Sequence, residues 1–143
     1  MANESICLIL QGLAGYEAEH TARMFFSGLH REETMPQEGD CLLISSRPHA
    51  QLVYLRRGGQ ADWSACAAAP GEADADREYA LCRMLYHFLM KKTGIRPPWG
   101  MMTGVRPVRI IHDMRAAGAT EEEIRARFVD HFECTPERFE TAL

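Results

Sequence analysis

Strand-like and helical patterns of hydrophobic positions alternate along the first seventy residues. Four short apolar runs have the length and alternation of strands, at residues 6–11, 41–45, 51–57 and 62–67. Between the first two runs, apolar side chains recur at helical spacing and predict a helix over residues 16–29. Gly58 and Gly59 supply the two-residue turn that a hairpin between the last two runs requires. The pattern therefore predicts a β-α-β-β unit followed by one weaker strand.

The chain becomes helical after a small, acidic linker at residues 70–76. Residues 77–93 carry apolar side chains around most of a helix, which Gly94 is well placed to end. Three shorter amphipathic helices follow, starting at Pro107, at the Thr120/Glu123 capping box and at Thr135-Pro136.

These elements predict an α+β fold: a small N-terminal β-α-β-β(-β) unit (residues 1–70) followed by a four-helix C-terminal part (residues 74–143). The 143 residues are 46% apolar and 25% charged, as in ordinary globular domains, so we expect the two parts to pack as one compact domain. All apolar runs are far shorter than a membrane span, and the N-terminus lacks the features of a signal peptide. We therefore expect no membrane association and a cytoplasmic location.

The five cysteines are scattered and odd in number: Cys7, Cys41, Cys66, Cys82 and Cys134. None belongs to a Cys-x2-Cys pair or a three-cysteine cluster motif, so we expect reduced thiols that pack as small hydrophobes. His131 and Cys134 have a spacing that a metal can use, but no second pair accompanies them. We therefore expect no catalytic residue, metal ligand or cofactor in this chain, which alone would not be an enzyme.

Charge is segregated along the chain beneath a net charge of −4. Residues 1–76 have 5 basic and 11 acidic side chains, residues 77–115 have 8 and 2, and residues 116–143 have 3 and 7. Arginine dominates the middle segment, and its planar guanidinium group suits carboxylate or phosphate. The segment either attracts an anionic partner or pairs with the acidic flanks of its own domain.

The most unusual segment is residues 96–107, Arg-Pro-Pro-Trp-Gly-Met-Met-Thr-Gly-Val-Arg-Pro. Prolines restrict its backbone, glycines allow close approach, and Trp99 offers a large flat surface. Thr103 and Gly104 directly precede a predicted helix, whose N-terminal amides attract anions, and Arg106 lies beside them. These residues could cradle a carboxylate or phosphate, or they could form a rigid elbow with Trp99 filling the joint. Physical arguments alone favour the elbow.

The same segment resembles the N-terminal region of the HemZ-type, oxygen-independent coproporphyrinogen III dehydrogenases, a radical-SAM family. The resemblance rests on Thr93-Gly94, Pro98-Trp99-Gly100, Thr103-Gly104-Val105-Arg106-Pro107 and the helices near Thr120 and Thr135. Where the family carries Thr-Lys after Arg-Pro, this chain has Val108-Arg109, which keeps the positive charge and loses the hydroxyl.

The resemblance implies a non-catalytic N-terminal accessory domain of a longer oxidoreductase of haem biosynthesis, cut before its catalytic barrel. The parent would use S-adenosylmethionine and a [4Fe–4S] cluster, held by a Cys-x3-Cys-x2-Cys motif that this chain lacks, to decarboxylate propionates of coproporphyrinogen III oxidatively. The implied partner is the C-terminal radical-SAM domain of the same polypeptide. Tetrapyrrole propionates would be a second partner, bound through Trp99, Thr103, Gly104, Arg106 and Arg109.

The alternative is a small nucleic-acid-binding module that uses the basic segment 77–115 and the helical run after it. The acidic overall balance and the glutamates at residues 121–123 disfavour this alternative, because they would repel phosphates. We therefore expect no nucleic-acid partner.

Overall fold

The computed structural model describes residues 2–68, 71–102 and 107–142, and the strands among them form one mixed sheet. The strands are β1 (Ala2–Gly12), β2 (Phe26–Arg31), β3 (Cys41–Ser46), β4 (Ala50–Arg57) and β5 (Gln60–Ala67), in the spatial order β2-β1-β3-β4-β5. Strand β1 is parallel to β2 and β3, whereas β4 is antiparallel to β3 and β5. The predicted hairpin is confirmed: Gly58 and Gly59 join β4 to β5 with φ angles of 59° and 80°.

The helix predicted over residues 16–29 is wrong beyond its first eight residues. Helix α1 spans Tyr16–Arg23, and the chain then enters strand β2. The buried Phe26 and Leu29 are three residues apart, a spacing that imitates a helix face. In a strand, two residues at that spacing point to opposite faces, and this sheet buries apolar side chains on both of its faces. Non-local pairing, which no sequence window detects, therefore overrides the helical pattern here.

Helix α2 (Asp74–Thr93) belongs with the sheet rather than with the later helices. The chain divides into a sheet unit, residues 1–95, and a helical unit, residues 96–143, whereas the sequence suggested a division at residues 70–74. Helix α2 packs against α1 and against β4 and β5, which explains why apolar residues cover so much of its circumference. Its buried side chains are Leu81, Cys82, Leu85, Tyr86, Phe88 and Leu89.

The sheet buries apolar side chains on both of its faces. One face carries α1 and α2, as the hydrogen bond from Gln51 Nε2 to the Arg77 carbonyl of α2 illustrates (2.9 Å). On the second face, Cys7 and Cys41 lie directly opposite each other in β1 and β3. Beside them a cross-strand row of apolar side chains runs through four strands: Ile9, Leu43, Tyr54 and Trp63. The row ends at the outer strand β5.

The helical unit contains three helices among its described residues. They are α3 (Pro107–Ala116), α4 (Glu121–Arg125), which continues as a π-helical segment (Ala126–His131), and α5 (Pro136–Ala142). The capping box is confirmed, since the Glu123 N–H donates to Thr120 Oγ1 at 3.1 Å and the Thr120 N–H donates to the Glu123 carboxylate at 3.4 Å. The buried core consists of Met102, Ile111, Ile124, Phe128, Cys134 and Phe139. The α+β class is confirmed, while the four-helix C-terminal part is matched only roughly because α2 packs with the sheet.

Candidate functional site

The segment that the sequence singles out begins as a tight turn. The Gly100 N–H donates to the Pro97 carbonyl at 3.0 Å, and the Met102 N–H donates to the Trp99 carbonyl at 3.3 Å. Gly100 has a φ of 62°, a left-handed conformation that glycine adopts without steric cost. The turn is therefore fixed by its own backbone hydrogen bonds, with a glycine at the position that adopts this angle.

A second turn, at residues 132–135, clamps the first. The Met101 N–H donates to the Phe132 carbonyl at 2.6 Å, and the Thr135 N–H donates to the Pro98 carbonyl at 3.0 Å. A β-carbon on Gly100 would overlap the Phe132 carbonyl group, because the two backbones touch there. The two turns thus form one rigid joint.

Trp99 lies half-buried against the core of the helical unit. The guanidinium carbon of Arg138 stands 5.9 Å from the centre of its ring, within the range of a cation–π contact. The indole therefore fills the joint in part and keeps an exposed edge with a cation over it.

Three of the five candidate binding residues, Thr103, Gly104 and Arg106, lie outside the described residues. Arg109 is described: it stands in the first turn of α3 with its side chain 75% exposed, and its nearest carboxylate oxygen, on Asp113, is 3.8 Å away. An exposed pair at that distance contributes little free energy. Val108 beside it is 61% exposed. The start of α3 thus presents a guanidinium group and an apolar side chain to solvent.

Much of the basic segment is paired with carboxylates in the structure. Arg77 Nη2 lies 2.6 Å from Asp74, Arg115 Nη2 lies 3.5 Å from Glu121, and Lys92 pairs with Asp62 of β5. The Lys92 partnership holds the pKa of the exposed Asp62 carboxyl below its ordinary value. The segregation of charge along the sequence is therefore offset in part by ion pairs in three dimensions.

The cysteine thiols lie apart from one another, with one exception. Burial raises the pKa of Cys82 to about 11, and burial also raises the pKa of Cys134, whose Sγ donates to the Thr135 carbonyl. Only Cys7 and Cys41 lie side by side, a neighbourhood that sequence spacing could not reveal. A [4Fe–4S] cluster needs three or four converging thiolates, so the described cysteines do not fit such a cluster. Across residues 2–68, 71–102 and 107–142, no three His, Cys, Asp or Glu side chains are arranged to hold a metal ion.

His131 lies at the end of the π-helical segment, with its ring edge-on to Phe132. Partial burial, aided by the positive charge of Arg127, lowers its pKa. Cys134, three residues further along the chain, is instead buried in the core of the helical unit. His131 therefore lies at the surface of the helical unit, whereas Cys134 lies in its core.

Sequence reasoning missed one exposed aromatic residue. Trp63 is 63% exposed on the outer strand β5, at the end of the apolar row on the second face of the sheet. The sequence did contain a signal for it: Trp63 alternates with alanines along a strand in which Asp62 is the only charged residue. Comparison with family models, with curated proteins and with solved structures found no match to this chain.

Proposed function

We propose that this chain is a non-catalytic accessory domain of a radical-SAM enzyme of the coproporphyrinogen III dehydrogenase type, acting in porphyrin and haem biosynthesis. Its role would be to dock on the C-terminal catalytic domain and to help hold an anionic substrate. S-adenosylmethionine and a [4Fe–4S] cluster would belong to that catalytic domain. The location that fits this proposal is cytoplasmic.

The observation that carries the proposal is the Pro98-Trp99-Gly100 turn followed by the Pro107 helix. This motif is the part of the chain that resembles the enzyme family. Its glycine is required physically, since the Gly100 backbone touches the Phe132 carbonyl group. The described helix α3 that follows this motif carries the exposed Arg109 in its first turn.

The chemistry of the exposed start of α3 supports an acidic partner. Arg109 keeps most of its side-chain surface in solvent, and its Nε lies 3.8 Å from the Asp113 carboxylate. A guanidinium group can grip a carboxylate with two parallel hydrogen bonds, as both a propionate and an acidic protein side chain would allow. Val108 adds an exposed apolar contact beside this charge.

The substrate part of the proposal is tested by titrating the chain with coproporphyrin III and following porphyrin fluorescence. We expect saturable binding that weakens at least about tenfold in Arg106→Ala and Arg109→Ala, which corresponds to one lost charged hydrogen bond. Arg115→Ala on the same helix is the matched control, because Arg115 already pairs with Glu121. Equal affinity in all three variants, or no binding by wild type, would remove the substrate role.

The family part is tested by reading the gene beyond the codon for Leu143. We expect the same reading frame to continue into a Cys-x3-Cys-x2-Cys motif. A stop codon directly after Leu143 would contradict the accessory-domain proposal.

A further inference from the structure

Strand β5 leaves one side of its backbone unpaired among the described residues. In the sheet order it is an outer strand, hydrogen-bonded only to β4. Because Arg57 and Gln60 close a two-residue hairpin, the N–H and C=O groups of the even-numbered residues point to β4. Those of Ala61, Trp63, Ala65 and Ala67 therefore point outward. The Trp63 N–H is already bonded to the Asp62 carboxylate at 2.8 Å.

The outer edge of β5 lacks the usual protections against pairing. Its pairing with β4 runs from Gln60 to Ala67 without a bulge. It contains no proline, and Asp62 is its only charged residue. Proline, bulges and several charges are the devices by which exposed edges normally avoid pairing with other strands. After Asp62, the edge is a regular, uncharged template for another strand.

We propose that β5 pairs antiparallel with β5 of a second copy of this chain, about a two-fold axis at Ser64. That register places Trp63 opposite Ala65 of the second copy, and Ala61 opposite Ala67. The large indole thus faces a small side chain in both halves of the interface, and the two indoles become diagonal neighbours within reach of each other.

The sequence of β5 is self-complementary in this register, which favours a second copy as the occupant. In the same register Asp62 lies opposite the uncharged Cys66 of the second copy, so no like charges meet. The Trp63 N–H would exchange the Asp62 carboxylate for the Ala65 carbonyl of that copy. The side chains beside Trp63 on its face of the strand are exposed alanines, which leave room for the partner indole: Ala61, Ala65 and Ala67.

The interface would be small and the dimer correspondingly weak. One pair of eight-residue strands and two indoles bury at most about 1,000 Å², at the lower end of specific interfaces. We therefore expect a dissociation constant on the order of 10–100 μM. The two copies would share one continuous ten-stranded sheet.

Sedimentation velocity from about 5 to about 500 μM tests the dimer, since this range spans the expected dissociation constant. The key variant is Ala65→Pro: proline is tolerated at an outward-facing edge position, but it removes an N–H that the dimer uses. We expect this variant to keep its far-ultraviolet circular dichroism and to raise the dissociation constant at least about tenfold. Trp63→Ser should weaken the dimer similarly without any change of backbone.

Leu13→Ser is the matched control, because Leu13 is also exposed (55%) but lies outside β5. We expect it to leave the dimer intact. In a Trp99→Phe background Trp63 is the remaining indole, and its emission should shift to shorter wavelength as the concentration rises. A monomer throughout the range, a dimer that survives both β5 variants, or a dimer lost in Leu13→Ser would each overturn the proposal.

Discussion

Replacing Gly100 with alanine should selectively unfold the helical unit. The substitution forces a side chain into a left-handed conformation (φ 62°), at a cost of about 1–2 kcal/mol. Its β-carbon would also collide with backbone atoms, among them the Cys134 nitrogen at 2.6 Å. The joint must therefore open, and the hydrogen bonds Met101–Phe132 and Thr135–Pro98 would be lost at about 1 kcal/mol each. The total is about 3–4 kcal/mol.

That total approaches the whole stability of such a small unit, which is on the order of 2–7 kcal/mol at the usual value per residue. Urea unfolding in a Trp63→Phe background measures it, because Trp99 then reports on the helical unit alone. Gly118→Ala is the matched control: Gly118 has a φ of 90° in the same unit, but no heavy atom lies within 4 Å of its added β-carbon. It should cost only the conformational strain, about 1–2 kcal/mol. Equal losses of stability in the two variants would refute the backbone contact as the cause.

Three further outcomes follow from local chemistry. Iodoacetamide at pH 8 should modify the partly exposed Cys66 before the buried Cys82, because a pKa of about 11 leaves roughly a thousandth of the Cys82 thiol ionised. The reverse order by mass spectrometry would contradict the burial of Cys82. Folding lowers the pKa of His131, so the unfolded state binds the proton more readily, and the free energy of unfolding should fall as the pH drops through about 6.5. His131→Gln should make this fall shallower. An unchanged pH profile in the variant would contradict the lowered pKa of His131. Thr120→Ala should destabilise the helical unit by about 1 kcal/mol in urea unfolding, whereas Thr120→Ser, which keeps the capping hydroxyl, should not. Equal effects of the two substitutions would show that the Thr120 hydroxyl does not stabilise the helix as a cap.

Local patterns predicted much of the secondary structure because they are encoded within a few residues. The alternation of strands β3, β4 and β5, the turn at Gly58-Gly59 and the Thr120 capping box all depend on near neighbours. Strand β2 could not be predicted in this way, since its hydrophobic spacing fits a helix and only its pairing with β1 makes it a strand. The affiliation of α2 with the sheet likewise depends on contacts between distant parts of the chain.

The candidate site could be predicted as a segment but not as a geometry. The prolines and glycines around Trp99 predicted a rigid elbow between two helices, whereas the structure describes a turn at residues 97–102 that is hydrogen-bonded to residues 132–135. The contact between Gly100 and Phe132 joins residues that are far apart in sequence, and no local rule specifies it. The ion pairs that offset the basic segment, such as Lys92 with Asp62, are non-local for the same reason. Sequence therefore overstated the charge that remains available to a partner.

Docking on a catalytic domain is the central claim, and one calorimetric titration tests it most directly. The chain would be titrated into a separately produced radical-SAM catalytic domain, the partner that the proposal implies, with Arg109→Glu compared with Arg115→Glu on the same helix. We predict saturable binding that Arg109→Glu weakens at least about tenfold and that Arg115→Glu leaves nearly unchanged. No heat of binding, or equal weakening by the two variants, would contradict a docking surface at the start of α3.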